Sequence, residues 1–353
     1  MNSEQLRQAT ALLLESVGLK GEFASSPLQG GANNKVFRVD VGGEKVLLKA
    51  YFQHPGDSRN RLNAEFSFSR FAWDNGVQCI PRPIAFDSSH QLGLYEFVEG
   101  CRIESWKVTR GMVMQAVEFY MDLNRHRTEA AAKQLPNASE ACFCIGDHIR
   151  CVERRLDALR AVEPLSPVYQ QAVLFIQGSL SEAWKQISES VVNRAGELGL
   201  SLEAEISPEE RRLSPSDFGF HNALVDERGW VRFIDFEYAG WDDPDKLACD
   251  LFCLQGVRVP PVYHELFVKA VAEDLPDPKL HLERIRFLIA VHQVKWCCIL
   301  LNDFLPVGSQ RRRFADPLGE QVGREEIQLQ KARAALQEVR VRSPQERFIS
   351  GAM

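Results

Sequence analysis

Apolar positions recur in two rhythms along this chain, and the rhythm changes near residue 100. Leu6, Leu12, Leu13, Leu14 and Val17 open it at helical spacing. Two β-rich runs follow at residues 36–39 and 46–51, separated by the turn Asp40-Val41-Gly42-Gly43-Glu44, and together they read as an antiparallel hairpin. Over residues 59–75 the helical period returns, with Leu62, Phe66 and Trp73 near one face and Gly76 as its stop. Pro81 and Pro83 then break the chain ahead of another apolar strand over residues 92–98.

Past that point the pattern is helical, over residues 108–125, 137–162, 168–195, 261–273, 280–302 and 319–340. A lone hairpin interrupts it: residues 223–225 and 230–234 flank the turn Asp226-Glu227-Arg228-Gly229. The longest apolar run, residues 287–301, contains His292, Gln293 and Lys295 and is shorter than the roughly 20 residues of a membrane span, so it reads as a buried helix. Residues 342–353 are largely polar and read as a loose tail.

Composition narrows the classes. The 353 residues are 45% apolar and 25% charged, the balance of a globular protein, and their number allows two domains or one large bilobal unit. With 42 Lys+Arg against 48 Asp+Glu, the net charge of −6 advertises neither a nucleic-acid partner nor an anionic membrane. Met1-Asn2-Ser3-Glu4-Gln5 is no secretory signal, so the expectation is a cytoplasmic protein without membrane insertion. Its nine cysteines form no Cys-x-x-Cys pair and read as reduced thiols rather than disulfides or zinc ligands.

The polar flanks of the lone hairpin carry the chemistry. If Asp226 and Gly229 close the turn, Asn222 lies opposite Phe233 and Asp235 sits two residues further along the same face. Asp217, Asn222 and Asp235 then converge at the open end, and hard oxygen donors of this kind suit Mg²⁺. No G-x-x-x-x-G-K-[ST] string occurs, which excludes a P-loop. Phosphoryl transfer has a second common solution: a glycine turn over the phosphates, a strand Lys held by a helix Glu, a loop Asp as base, and an Asn and an Asp for metal. Each part has a candidate here in that order: Gly30-Gly31-Ala32-Asn33-Asn34, Lys49, Glu65, Asp217, Asn222 and Asp235.

On the string from Gly30 to Val39, on Asp217 with Asn222 five residues later, and on Ile234-Asp235-Phe236-Glu237-Tyr238-Ala239-Gly240, the chain resembles the aminoglycoside phosphotransferase and choline kinase superfamily. The resemblance spans roughly residues 25–255, and the last string is especially close to the choline and ethanolamine kinase form. It implies an α+β, bilobal, protein-kinase-like fold: a small antiparallel N-lobe over residues 1–97, and a mostly helical C-lobe over residues 98–353 that carries the catalytic hairpin. It also implies a kinase that uses ATP and Mg²⁺ to phosphorylate a hydroxyl of a small acceptor, whether amino alcohol, aminoglycoside or sugar. Asp217 would be the base, and Asn222 and Asp235 the metal ligands. Gly30, Gly31, Asn33 and the Lys49–Glu65 pair would hold the phosphates, and the backbone of Glu96 and Val98 would meet adenine.

Two departures mark a divergent branch. Pro215-Ser216 stands where the family usually has His-Gly before the base, and Asp250, which resembles the buried Asp that braces the catalytic loop in the family, lies six residues after Pro244 rather than three. A pseudokinase or nucleotide-binding scaffold is the main rival, although Lys49, Asp217, Asn222 and Asp235 are all present. A protein kinase is the second, opposed by the absence of an Ala-Pro-Glu segment and by an Asp-Phe-Gly string that precedes Asn222. His221 reads as structural, residues 203–210 as a solvated acidic helix face, and Arg311-Arg312-Arg313 as an exposed loop.

Overall fold

The computed structural model describes residues 2–28, 33–315 and 323–341; Gly30, Gly31, residues 319–322 of the expected last helix and the polar tail lie outside them. Asn2 starts helix α1 (Ser3–Ser16) with a capping box, accepting from the Gln5 amide while the Gln5 side chain returns to its own. The buried face of α1, Ala9, Leu13 and Leu14, packs on Val39, Val41, Val46 and Leu48 of a five-stranded sheet. That sheet is antiparallel throughout, ordered β1 (Phe23–Pro27), β2 (Lys35–Val41), β3 (Glu44–Ala50), β5 (Leu92–Glu96), β4 (Pro83–Asp87). Pro83 begins β4 at the sheet edge, where a missing N–H costs no ladder bond, so the segment read as a break is a strand.

Alternation along β3 decides where Lys49 points. Val46, Leu48 and Ala50 face α1, whereas Leu47, Lys49 and the following Tyr51 face helix α2 (Arg61–Asp74) and the interior of the molecule. Asn60 caps α2, which turns Glu65 toward Lys49 and sends Phe68, Phe71 and Ala72 into a core shared with the rest of the chain.

The remainder is helical: α3 (Arg110–Arg125), α4 (Ile145–Arg160), α5 (Pro167–Phe175), α6 (Ser181–Glu197), α7 (Pro244–Cys253), α8 (His264–Glu273), α9 (Pro278–Leu300), α10 (Pro306–Ala315) and α11 (Arg324–Val341). A π-helical turn, Ile176–Leu180, joins α5 to α6, so the helix expected over 168–195 is continuous but bulged. By length and composition the segment Pro278–Phe304 could cross a membrane, yet α9 lies inside the helical core, with Ile285, Leu288, Val291, Val294 and Cys298 buried. All nine cysteines are free thiols, seven of them buried.

Three expectations need correction. Residues 137–144 are not helical, because the amides of Ala138 and Ser139 donate to the carbonyls of Trp241 and Tyr238. Residues 203–210 form a loop in which Glu203 pairs with Arg150, Glu205 with Arg211 and Glu210 with His281. Arg311 to Arg313 belong to α10, with Arg311 buried and Arg312 paired to Asp303.

Candidate active site

Strands β6 (Cys101–Arg102), β8 (Ala223–Val225) and β9 (Val231–Phe233) form a small antiparallel sheet under the larger one. Ala223 pairs with Phe233 and the Asp226 amide donates to the Trp230 carbonyl, so the loop has three residues and ends on Gly229 at φ 83°. Asn222 therefore lies opposite Ile234, whose amide donates to it at 2.9 Å, and the expected Asn222–Phe233 register is one residue off. Phe218, Phe220, Phe233 and Phe236 all point down into a buried aromatic layer with Phe119 of α3 and Phe68 of α2. Anchored by these rings, the loop turns Asp217, Asn222 and Asp235 the other way.

Two short strands, β7 (Arg212–Ser214) and β10 (Gly240–Asp242), bracket that loop and pair antiparallel. Asn124 of α3 fastens β7 by exchanging hydrogen bonds with the Leu213 backbone at 2.8 and 3.0 Å. Between the brackets Ser216 and Asp235 take positive φ, 65° and 70°. Side chains with a Cβ populate this region sparsely, so the backbone is strained at both ends of the candidate site.

Lys49 joins the two halves. Its ammonium donates to Glu65 at 2.6 Å and also to Asp235 of the hairpin, and Tyr51 donates to the same Glu65 oxygen at 2.8 Å. Burial alone would lower the Lys49 pKa, but the Asp235 and Glu65 carboxylates outweigh it and the group stays charged well above its ordinary range. Burial drives Glu65 the other way, up to about 7, because one ammonium is shared with a second carboxylate. Asp57, just ahead of α2, is committed to Arg59 and Arg61 and takes no part in holding Lys49.

The cleft that these groups close holds a cavity of about 330 Å³. Val36 and Leu47 line it from the sheet, Leu224 and Ile234 from the hairpin, and Glu96 and Val98 along the connection. At its floor Asn222 donates to the Asp217 carbonyl at 3.0 Å and to its carboxylate at 3.4 Å, while His221 approaches the other carboxylate oxygen at 3.3 Å. Burial pushes the Asp217 carboxyl up, but the charge of His221 outweighs it and holds the group below the usual range.

The contacts of Glu237 and Asn34 escaped sequence reasoning, and those of Asn33, Asp250, Asp242 and Asp243 lie outside what the chain alone prescribes. Glu237 is buried and accepts from Asn33 and, at 2.7 Å, from Asn34, with Arg61 3.3 Å away; Asn33 also donates to the Tyr238 hydroxyl at 3.0 Å. Asn33 thus faces both the cavity and the hairpin. Asp250 hydrogen-bonds to His292, Lys295 and Trp296 at 3.0, 2.6 and 2.9 Å, and so braces α9. Asp242 and Asp243 are buried and tied to Lys246, His148 and Arg284. Asp243, Asp245 and His281 have the donors of a metal site, but Arg284 already spans both carboxylates at 2.5 and 2.7 Å.

A strand lysine held by a helix glutamate, above a hairpin bearing an Asp, Asn and Asp, defines a two-lobed phosphotransferase of the protein-kinase-like type. Within that class the chain belongs to the APH phosphotransferase enzyme family, whose model matches residues 25–274. No curated protein sequence matches it. Among solved structures it is similar to a choline/ethanolamine kinase family protein from Mesorhizobium loti, at 18% identity over 99% of both chains with a TM-score of 0.56. It is also similar to the spectinomycin phosphotransferase APH(9)-Ia, solved with ADP and spectinomycin, at 14% identity over 94% of this chain and 98% of that one, TM-score 0.60. An ethanolamine kinase from Plasmodium vivax matches at 13% identity over 96% and 89%, TM-score 0.61. At such identities the likeness is one of fold; family membership makes the protein a small-molecule kinase, a phosphotransferase acting on hydroxyl acceptors.

Proposed function

We propose that this kinase uses ATP and Mg²⁺, with residues 1–97 anchoring the nucleotide and residues 98–353 supplying the base, the metal ligands and the acceptor site. One observation carries the reading: the Lys49 ammonium pairs at once with Glu65 and with Asp235, so a phosphate-type cation and a metal-type carboxylate meet at the mouth of the cleft. The donors suit Mg²⁺, since Asp235 offers a carboxylate and Asn222, its amide nitrogen turned to Asp217, offers an oxygen. When bound, the ion neutralises charge on the β- and γ-phosphates. Lys49 holds the phosphates, kept in aim by Glu65 and Tyr51, and Gly30, Gly31 and Asn33 would contribute to phosphate binding. The adenine sits between Val36, Leu47, Leu224 and Ile234, against the backbone of Glu96 and Val98. Asp217 orients the acceptor hydroxyl and takes its proton as the oxygen–phosphorus bond forms and ADP departs. The ADP-bound spectinomycin phosphotransferase supports nucleotide use, and the free, mostly buried thiols fit a cytoplasmic location.

The acceptor body fits a second cavity, of about 430 Å³, walled by Leu254 and Gln255, Trp106, His264 and Arg258. Leu254 and Gly256 abut the catalytic loop at Gly219 and His221. Arg258 and Glu338 pair across this cavity at 2.9 Å, so its charges cancel and a weakly charged acceptor is favoured over a polycation. The test is ADP release from Mg·ATP with neutral sugars and polyols, choline, ethanolamine and spectinomycin. Release that depends on acceptor and metal, is stopped by chelation and is lost in Asp235→Ala supports the reading. Nucleotide binding without turnover in any mixture makes the protein a scaffold.

A further inference from the structure

His221 stands one residue before Asn222 and four after Asp217, and its ring is held by the loop more closely than any role described above requires. Nε2 lies 3.3 Å from Asp217 Oδ1, leaving the other carboxylate oxygen to Asn222. Nδ1 is buried and has no hydrogen-bond partner among the described residues. Two glycines make room for the ring. A Cβ at Gly219 would stand 3.0 Å from His221 Nδ1 and collide with Leu254, and one at Gly256 would stand 3.0 Å from His221 Cβ. Any side chain at either position presses on the imidazole or on the leucine behind it. Upstream, Pro215 has no polar side chain, and the Ser216 amide is spent on Ser214 Oγ at 3.0 Å.

We propose that His221 is a positioning residue for the base: its Nε2–H donates to Asp217 Oδ1 and fixes the rotation of the carboxylate, a contact that neither Pro215 nor Ser216 makes. The inference rests on the reading of Asp217 as the base. With Nδ1 sealed behind Gly219 and Gly256, the ring acts through Asp217. Asp217 is 30% exposed along its side chain and, among the described residues, reached by only two side-chain donors, so loss of one frees it to rotate. A carboxylate that samples several rotamers meets the acceptor hydroxyl in line less often, which lowers turnover and leaves nucleotide binding unchanged.

The full-length protein is assayed for ADP release from Mg·ATP with water as acceptor, alongside long-range ¹⁵N–¹H spectra of the histidine rings at pH 8. His221→Ala is expected to lower kcat about 10- to 100-fold with KM for ATP within about twofold. His221→Gln, whose amide nitrogen reaches a similar point, restores most of the loss. In the spectra, the ring signals that vanish in His221→Gln carry their proton on Nε2 and shift in Asp217→Ala. Full activity in His221→Ala, a purely KM-directed loss, absence of rescue by His221→Gln, or signals indifferent to Asp217→Ala each overturns the proposal. Asp217→Asn separates the two readings: if it retains full turnover the base assignment fails, and if it is inactive while His221→Ala is normal only the positioning role fails. Gly256→Ala, which keeps every polar group and pushes on the ring, is expected to repeat the kcat loss if the variant at 221 is too unstable to assay.

Discussion

Asn34 and Glu237, 203 residues apart in the chain, meet in a buried hydrogen bond of 2.7 Å that ties the start of β2 to the residue two beyond Asp235. Asn34 also accepts from the Phe52 amide at 3.1 Å, so a single side chain links the end of β3, the start of β2 and the segment after Asp235 to one another. Protein contacts alone thus tie the two halves of the candidate site together across the cleft.

Replacing Asn34 by Ala should weaken both stability and nucleotide binding. The change leaves the Glu237 carboxylate buried with fewer donors, and a hydrogen bond to a charged group contributes about 1.5–3 kcal/mol. Chemical denaturation should register a loss of that order, and the KM for ATP should rise several-fold. An unchanged midpoint with unchanged KM would mean that Asn33 and Arg61 satisfy Glu237 without it.

Lys49→Met tests the shared ammonium. The variant keeps the apolar stem but leaves Glu65 and Asp235 facing each other with no cation between them, so Glu65 takes up a proton and the phosphate anchor is gone. Turnover should fall at least about 100-fold, as for other electrostatic groups aimed at a transferring phosphoryl. Glu65→Gln, which keeps an acceptor for Tyr51 and Lys49, should lose less. Steady-state ADP release on both variants decides the order, and a Lys49→Met enzyme running at the native rate would move the anchor elsewhere.

The pH dependence of stability should carry the mark of His281. Burial lowers the pKa of this ring, but its hydrogen bond and charge interaction with Asp245 outweigh burial and raise it above the ordinary 6.5, with Asp243 helping and Arg284 opposing. Its Nδ1 is 2.8 Å from Asp245 and its Nε2 3.2 Å from Glu210. The folded state holds the proton more tightly than the unfolded chain. The stabilisation is complete below 6.5, then, and is lost as pH rises through the folded value. The stability difference between the native protein and His281→Gln should shrink between about pH 6 and pH 9 in denaturant titrations. A difference that is constant or grows over that interval contradicts the assignment.

What could be read from the chain was whatever depended on local pattern. Lys49 was legible because Val46, Leu47, Leu48 and Ala50 surround it in a strand, and Asp217, Asn222 and Asp235 because they flank two apolar runs and a turn. The hairpin register slipped by one because it depends on Gly229 taking φ 83°, which composition alone does not set. Residues 137–144 looked helical because their partners, Tyr238 and Trp241, lie about a hundred positions away. β7 and β10 were hidden because each is only three residues long, and the tie between Asn34 and Glu237 because 203 positions separate the two. Arg311 was read as exposed because α10 has few apolar residues, and its burial depends on how that helix packs.

Gly240 and Gly196 should respond in opposite directions to the same substitution. Gly240 begins β10, opposite Ser214, where a Cβ would fall inside contact distance of the Pro136 carbonyl oxygen and the Ala138 amide, both of them backbone. Neither can swing aside as a flexible side chain would. Gly240→Ala must therefore push residues 136–138 away from β10, costing about 1–3 kcal/mol by the usual penalty of overpacking. Since β10 pairs with the strand that leads into Asp217, the displacement should lower turnover as well as stability. Gly196 lies near the end of α6, exposed, with open space within 4 Å of the point where a methyl group would stand. Gly196→Ala should stabilise the protein by about 0.5 kcal/mol through helix propensity while leaving ADP release untouched. Thermal melting and ADP release on the pair distinguish a glycine that the loop bearing Asp217 requires from one that it does not. Equal and small effects from both would mean that β10 tolerates more than its contacts imply.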